Sequence, residues 1–199
     1  MDLEKLTQQV ISGLFVELEA SGRHAHVTKE QAQQLFGHAL TPQRPLSQPG
    51  QYLAKERVTV RTEKGEFQNV AVLGPERGEA QVEISLTDAR VLGLNPPVRP
   101  SGNVAGSPGA HLIGPAGEVV IPQGVIVAQR HIHVSPDDAK HFGVADKQIV
   151  KLKTFTSRPT EFGDVLVRVS PYFNTSVHLD YDEANACGFQ KGDLGRIVL

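Results

Sequence analysis

RHIHVSPDDA, Arg130 to Ala139, has a twin upstream in RHAHVTKEQA, Arg23 to Ala32. The two stretches share the Arg, both His, Val, a hydroxyl residue, the following acid and the closing Ala at a shift of 130 − 23 = 107. A second match follows each of them. VEISLTDARVLGL, Val82 to Leu94, aligns with VHLDYDEANACGF, Val177 to Phe189, at a shift of 177 − 82 = 95, with Val, an acid (Asp88 and Glu183), Ala and Gly in order. The shifts differ by 107 − 95 = 12 residues, a loop-sized difference, so the chain reads as two related halves.

On a strand, side chains i and i+2 share a face, so His24 and His26 converge, as do His131 and His133. Thr28 and Ser135 then suit a helix N-cap, and Pro136 suits the first helical position. Two imidazoles do not complete a metal site, because catalytic zinc generally takes three protein ligands and leaves a fourth position open. The second repeat supplies a third in each half: Glu83 for His24 and His26, and His178 for His131 and His133. Zinc is the expected ion, one per half, because imidazole suits it, although cobalt, nickel and iron accept the same nitrogens. His38, His111 and His141 lack the repeat context and are expected on exposed helix or loop positions.

Around these stretches the sequence alternates in short strand-like runs: FVELEA, ERVTVRT, NVAVLGP, QVEISL, GEVVIPQGVIVA, QIVKLKTF, DVLVRVSP, TSVHLDY and GRIVL. Two brief helical patterns follow the RHxH segments. The fold class expected is mainly β, small barrels with short capping α-helices. Two segments rich in Gly and Pro, TPQRPLSQPG at 41–50 and the long stretch 95–118, read as irregular loops with a binding role, and the first carries Arg44. Arg77 stands six residues before Glu83, and the corresponding stretch of the other half, VSPYFNTSVH, has Phe173 in its place, five before His178; the arginine suits phosphate or carboxylate, or is a turn arginine.

Composition narrows the rest. With 20 basic and 22 acidic residues and no block of like charge, neither nucleic acid nor an anionic membrane is an expected partner. The one cysteine, Cys187, excludes an intramolecular disulfide, and its alignment with Leu92 argues for a core position over a nucleophile. No apolar run approaches a bilayer-spanning length, so a soluble intracellular protein is expected. Leu3, Leu6, Val10, Leu14 and Phe15 have roughly helical spacing, which predicts a short amphipathic helix at the N-terminus, packed on its own domain or docked on a partner. GxSxG, Walker and dinucleotide-binding glycine patterns are not present.

The motifs SGRHAHVT, LSQPGQYLAKERV, LGPERGEAQVEISLTDAR, RPSGNVAGS, QRHIHVSPDDA and VHLDYDEANACG together resemble the phosphate propanoyltransferases, the propanediol-utilisation-type phosphotransacylases of bacterial microcompartments. The resemblance runs from about Phe15 to Leu199. It implies reversible transfer of a short acyl group, such as propanoyl or acetyl, between coenzyme A and inorganic phosphate. It implies a two-zinc site in the cleft between two related β-barrel domains, and direct attack by phosphate is the mechanism expected there, since the sequence offers no credible Ser or Cys nucleophile.

The domains expected are residues 1–22 as an N-terminal helix and crossing strand packed with the second barrel, 23–128 as the first barrel and 129–199 as the second. The strands before each RHxH, FVELEA and GVIVA, are expected to cross into the other barrel.

By the same resemblance Arg77 is catalytic and binds phosphate beside Ser101 and Gly102. Coenzyme A contacts fall on Ser21, Leu73, His178 and Asn185, with Arg44 facing its phosphates. Family members often carry arginine where this chain has Ala71, which bears on that coenzyme A assignment and not on the metal ligands. The expected partners are a CoA thioester, inorganic phosphate, a microcompartment shell reached through residues 1–14, and a second copy in a homodimer; the expected location is the cytoplasm, inside a microcompartment. The competing functions are a dinuclear zinc hydrolase and a non-enzymatic, zinc-stabilised binding module.

Overall fold

The alternation read from the sequence becomes strand burial. In β12, Ile149–Phe155, every second residue is buried, so Val150, Leu152 and Thr154 face the core and the lysines between them face water. Burying one such leucine fully contributes about 2 kcal/mol. The structure is a computed structural model and describes Glu4, Thr7 and residues 13–199; the helix and shell-directed role expected of residues 1–14 fall largely outside the described residues.

The chain divides into two compact units. One contains β1 (Val16–Ser21) together with Arg130–Leu199, and the other is Gly22–Gln129. Among the described residues the first unit is a closed six-stranded barrel in the order β1, β14 (Ser176–Asp180), β11 (His131–Val134), β13 (Glu161–Val169), β12, β15 (Leu194–Val198). Strand β1 closes it, running parallel to β14 and antiparallel to β15. Leu18, Ile132, Leu152, Val165, Val167 and Leu179 fill its interior.

The second unit is an open, nine-stranded curled sheet among the described residues. Its order is β7 (Val98–Arg99), β10 (Val125–Ala128), β6 (Gln81–Glu83), β2 (His24–His26), β5 (Glu66–Gly74), β4 (Tyr52–Arg61), β8 (Ala110–Ile113), β9 (Glu118–Ile121), with β3 (Pro42–Pro45) paired to β4. It has its own core, including Val27, Leu35, Val58, Val60, Val72, Val82, Leu92 and Leu112. The mainly β class with short helices is therefore as the strand pattern implies, with one sheet closed and one curled open.

The topology repeats along with the sequence. Strand β2 lies between β5, parallel, and β6, antiparallel; β11 lies between β13, parallel, and β14, antiparallel. The run GEVVIPQGVIVA is two strands, β9 and β10, broken at Pro122–Gly124. Gly124 has φ 134°, and a Cβ there would meet the Ala80 carbonyl oxygen at 2.8 Å. Each strand that leads into a ligand strand belongs to the other ligand strand's unit: β1 pairs with β14, and β10 pairs with β6.

Two expectations about local structure change. The stretches 41–50 and 95–118 are not wholly irregular, since they contain β3, β7 and β8. Proline is tolerated in β3 because that strand pairs with β4 alone and is an edge, where a missing N–H costs no ladder bond. Besides the helical residues Glu4, Thr7, Gly13 and Leu14, the described residues form the short helices α1 (Lys29–Phe36), α2 (Leu86–Leu92), α3 (Pro136–Phe142) and α4 (Tyr181–Cys187). The first and third follow the RHxH strands, with Thr28 and Ser135 as N-caps and Pro136 in the first turn. The other two cut short the strand runs QVEISL and TSVHLDY. Ser85 and Asp180 cap them, with Asp88 and Glu183 completing capping boxes three residues on. No helix among the described residues is long and apolar enough to cross a membrane.

Candidate active site

Register decides which side chains meet. In the curled sheet His24 lies directly across from Glu83, and in the barrel His131 lies directly across from His178. Directly opposed residues on antiparallel strands project to the same face, so each third ligand stands beside its histidine pair. In each set, His24, His26 and Glu83 or His131, His133 and His178, one potential ligand atom per residue lies within 4.8 Å of the others. All but half-buried His178 are buried.

Backbone carbonyls orient the two histidines of the first set. His24 Nδ1 donates to the Gly22 carbonyl at 2.8 Å and His26 Nδ1 to the Leu73 carbonyl at 3.2 Å. Because a carbonyl can only accept, the hydrogen sits on Nδ1 and the lone pair of the neutral ring is on Nε2. His24 Nε2 faces Glu83 Oε2 at 3.6 Å. Burial alone would raise the Glu83 carboxyl, but the His24 imidazole beside it, aided by His26 and the Ser101 hydroxyl, holds it well below the ordinary carboxylate range. Burial opposes protonation of His24, and the Glu83 charge outweighs it, so His24 is raised. His26 is lowered well below the ordinary imidazole value by burial, by His24 and by Arg77. An ionised carboxylate and a neutral imidazole are the forms that bind a cation; Glu83 and His26 are held in them, while on His24 the proton favoured by Glu83 has to leave before Nε2 can bind.

A hydrogen-bonded network surrounds Glu83. Ser101 Oγ donates to Glu83 Oε1 at 2.8 Å, and the Gln81 amide donates to Glu83 Oε1 at 2.5 Å and to Ser101 Oγ at 2.8 Å. The Gln81 amide oxygen accepts from the Gly102 backbone N–H at 2.7 Å. Arg77 Nη1 reaches Ser101 Oγ at 3.3 Å, and its backbone N–H donates to the Val27 carbonyl. Arg77, Ser101 and Gly102 are thus brought together against the first ligand set. Gln81 is a residue that sequence reasoning missed; its one signal was its position two residues before Glu83, on the same face of the strand.

The second set is a stack of rings. The His131 and His178 rings are 5.0 Å apart and nearly parallel, and His133 meets both at 4.7 Å. Ser176 Oγ and Glu19 Oε2 lie 3.1 and 3.6 Å from His178 Nε2. Phe173, in the turn that corresponds to that of Arg77, packs on the His133 ring at 4.1 Å.

A family model described as phosphate propanoyltransferase matches residues 17–190. A curated phosphate propanoyltransferase of Enterococcus faecalis is 51% identical over 199 residues, covering 99% of this chain and 94% of the relative. One of Clostridioides difficile is 49% identical over 98% of this chain and 95% of its own length. One of Thermotoga maritima is 52% identical over 89% of this chain and 86% of its own. The chain belongs to the phosphate propanoyltransferase family. It is an acyltransferase, which sets aside the reading of a non-enzymatic binding module.

In this member of the phosphate propanoyltransferase family the other sequence-derived residues fall in two groups. Arg44 on β3 and Leu73 on β5 both lie opposite Leu53 of β4, in one cross-strand row, with Arg44 exposed and Leu73 half-buried. Ala71, where the family often has arginine, lies opposite His24. In the barrel, Ser21 ends β1 opposite Asp180, two places beyond the Glu19–His178 pair and on the same face. Asn185 is exposed on α4, and its carbonyl accepts from the Gly188 N–H.

Cys187 is buried in the barrel core, where burial raises its thiol, so it is a poor nucleophile. His38, His111 and His141 are exposed; His38 and His111 face Glu56 and Glu118, and His141 meets the Gly13 carbonyl.

Proposed function

We propose that the chain catalyses the reversible reaction of a short acyl-CoA, propanoyl or acetyl, with inorganic phosphate to give acyl phosphate and CoA, without a covalent enzyme intermediate. The observation that supports it most is the duplicated ligand set. Two strands in equivalent positions each present a histidine pair and meet a third donor on the antiparallel strand beside them, and one of the sets is joined through Ser101 to an arginine.

The donor chemistry fits zinc, since neutral imidazoles and one ionised carboxylate are its ordinary ligands. His24, His26 and Glu83 would hold one ion and His131, His133 and His178 the other. When bound, zinc supplies Lewis acidity toward the thioester carbonyl. The remaining work falls to the protein's own groups. Arg77 presents a planar fork of donors suited to two phosphate oxygens, and Ser101 and the Gly102 backbone hold the loop beside it. The phosphate oxygen forms a bond to the acyl carbon, the carbon–sulfur bond breaks, and coenzyme A departs as thiolate, so no side-chain nucleophile is needed. Coenzyme A contacts are assigned to Ser21, His178, Asn185, Arg44 and Leu73.

The test is to mix acetyl phosphate with CoA and measure thioester, before and after chelator treatment and after adding zinc back. Thioester formation that chelator abolishes and zinc restores is the expected result. Acetyl phosphate hydrolysis without thioester would overturn the reading in favour of a hydrolase, and activity indifferent to chelator would overturn the metal part of it. A radiolabelled acyl group left on the protein after rapid quench would overturn direct attack. Residues 1–14 are proposed to direct the chain to a microcompartment shell; their deletion is expected to abolish co-purification with shell proteins, and unchanged co-purification rejects it. A homodimer belongs to the same reading, checked by light scattering.

A further inference from the structure

The arginine that opens each RHxH stretch and the acid retained in each downstream repeat are unassigned by the chemistry above, yet both recur in both halves. The structure brings them together twice. Arg23 Nη2 lies 2.7 Å from Asp88 Oδ1 and its Nε donates to Oδ2 at 3.1 Å, a two-point fork on a buried carboxylate. Asp88 is also the capping-box acid of α2, accepting from the Ser85 N–H. The Arg23 guanidinium lies over the Phe67 ring of β5, 4.1 Å from its centre. In the barrel Arg130 Nη1 lies 3.1 Å from Glu183 Oε1, Glu183 accepts from the Asp180 N–H at the start of α4, and the Arg130 guanidinium lies 5.5 Å from the centre of Phe162 on β13.

The construction is the same in both units. The arginine is the residue before the first histidine ligand. Its carboxylate partner sits in the first turn of the helix that follows the third-ligand strand, and its aromatic partner is on the parallel strand beside the histidines. A guanidinium next to a cation site repels the cation, so its presence in both halves calls for a compensating gain. That gain is positional. The fork ties the ends of the two strands that carry ligands to each other, and the aromatic ring restricts how the arginine can turn.

We propose that Arg23–Asp88 and Arg130–Glu183 are positioning clamps, each setting how tightly its own half holds a metal ion by locking the third ligand in register with the histidine pair. This rests on the reading of the ligand sets as metal sites. Arg23 and Asp88 make two contacts and a close ring stack, whereas Arg130 and Glu183 make one salt-bridge contact and a more distant stack, so the first clamp is the stronger.

The test uses the full chain loaded with zinc and dialysed against graded chelator, with bound metal measured directly. The unchanged chain is expected to hold two ions. Arg23→Gln and Asp88→Asn each release one ion at roughly 10- to 100-fold weaker chelation and keep the other as the unchanged chain does. The double variant goes no further than either single one, because the pair acts as a unit. In a Glu83→Ala chain, which keeps one ion, Arg23→Gln leaves that ion's release unchanged. Arg130→Gln releases the opposite ion with a smaller shift, and it carries the test if the Arg23 variants fail to fold. Variants that melt earlier without metal but release both ions like the unchanged chain, or release both equally early, overturn the clamps while leaving the metal sites standing. An unchanged chain that takes up no zinc overturns the metal reading, and the clamps with it.

Discussion

The two ligand strands show what the repeat kept and what it let go. In both, a parallel strand lies on one side and an antiparallel strand on the other, and the third ligand stands directly across from the first histidine. The half with Glu83 surrounds its carboxylate with Gln81, Ser101 and, through Ser101, Arg77. The half with His178 stacks rings instead and has Phe173, not an arginine, in the corresponding turn. With the same divalent ion, the first set carries one negative charge more than the second, and its carboxylate accepts from Ser101 in the loop that also holds Gly102. The frame fixes where the side chains converge, and the residues around it differ: the Glu83 half joins its carboxylate to an arginine through Ser101, and the other sets its imidazoles against an aromatic ring.

The sharpest way to break this comparison is at the third ligands. Glu83→Ala and His178→Ala are each expected to lower kcat/KM by about 1000-fold, roughly 4 kcal/mol of lost stabilisation, with one ion fewer retained. Glu83→His gives the first half the second half's donor set. It should retain two ions yet stay well below the unchanged chain in thioester formation, because the carboxylate that Gln81 and Ser101 grip is gone. Full activity in that variant would show that the divergence of the third ligand has no consequence.

Next in size is the position where the halves differ most. Arg77→Ala is expected to raise the KM for phosphate, lowering kcat/KM by about 100-fold, while leaving two ions bound. Phe173→Ala, in the corresponding turn, should leave the phosphate KM within about twofold of the unchanged chain. Equal effects on phosphate KM would mean that both halves face the anion and that the asymmetry is packing alone.

How much of this the sequence disclosed follows from which contacts are local. That His24, His26 and Glu83, and His131, His133 and His178, come together was legible because duplication preserved them at two shifts, and register then carried that spacing into space. The capped helices after the third ligands were not, because the runs QVEISL and TSVHLDY are apolar and β-branched enough to extend a strand past Ser85 and Asp180; the cue was the acid three residues beyond each cap. Gln81 was invisible for another reason. A glutamine on a strand has no preferred role until its amide is seen between Glu83, Ser101 and Gly102. The difference between a closed barrel and an open curled sheet depends on β1 meeting both β14 and β15, pairings remote in sequence and unmarked by any motif.

The smallest expected effect separates the clamps by pH. Burial, and then the neighbouring Asp180 charge, raise the Glu183 carboxyl from its ordinary 4.5 to about 7, with Arg130 working against them. A carboxyl that is a weaker acid folded than unfolded binds its proton more tightly in the folded chain. Its stabilising contribution is therefore complete below about pH 4.5, declines as pH rises through 7, and is gone above it. Glu183→Gln keeps the neutral shape and removes the titration. The difference in unfolding free energy between variant and unchanged chain should therefore slope across that window by about 1–2 kcal/mol and level off on either side. Asp88→Asn leaves Glu183 in place, so its unfolding curve should keep the Glu183 slope. Denaturant titrations of the metal-free chains across that pH range measure both, and a Glu183→Gln difference curve flat from pH 4 to 8 would show that the second clamp stays ionised like an ordinary surface pair.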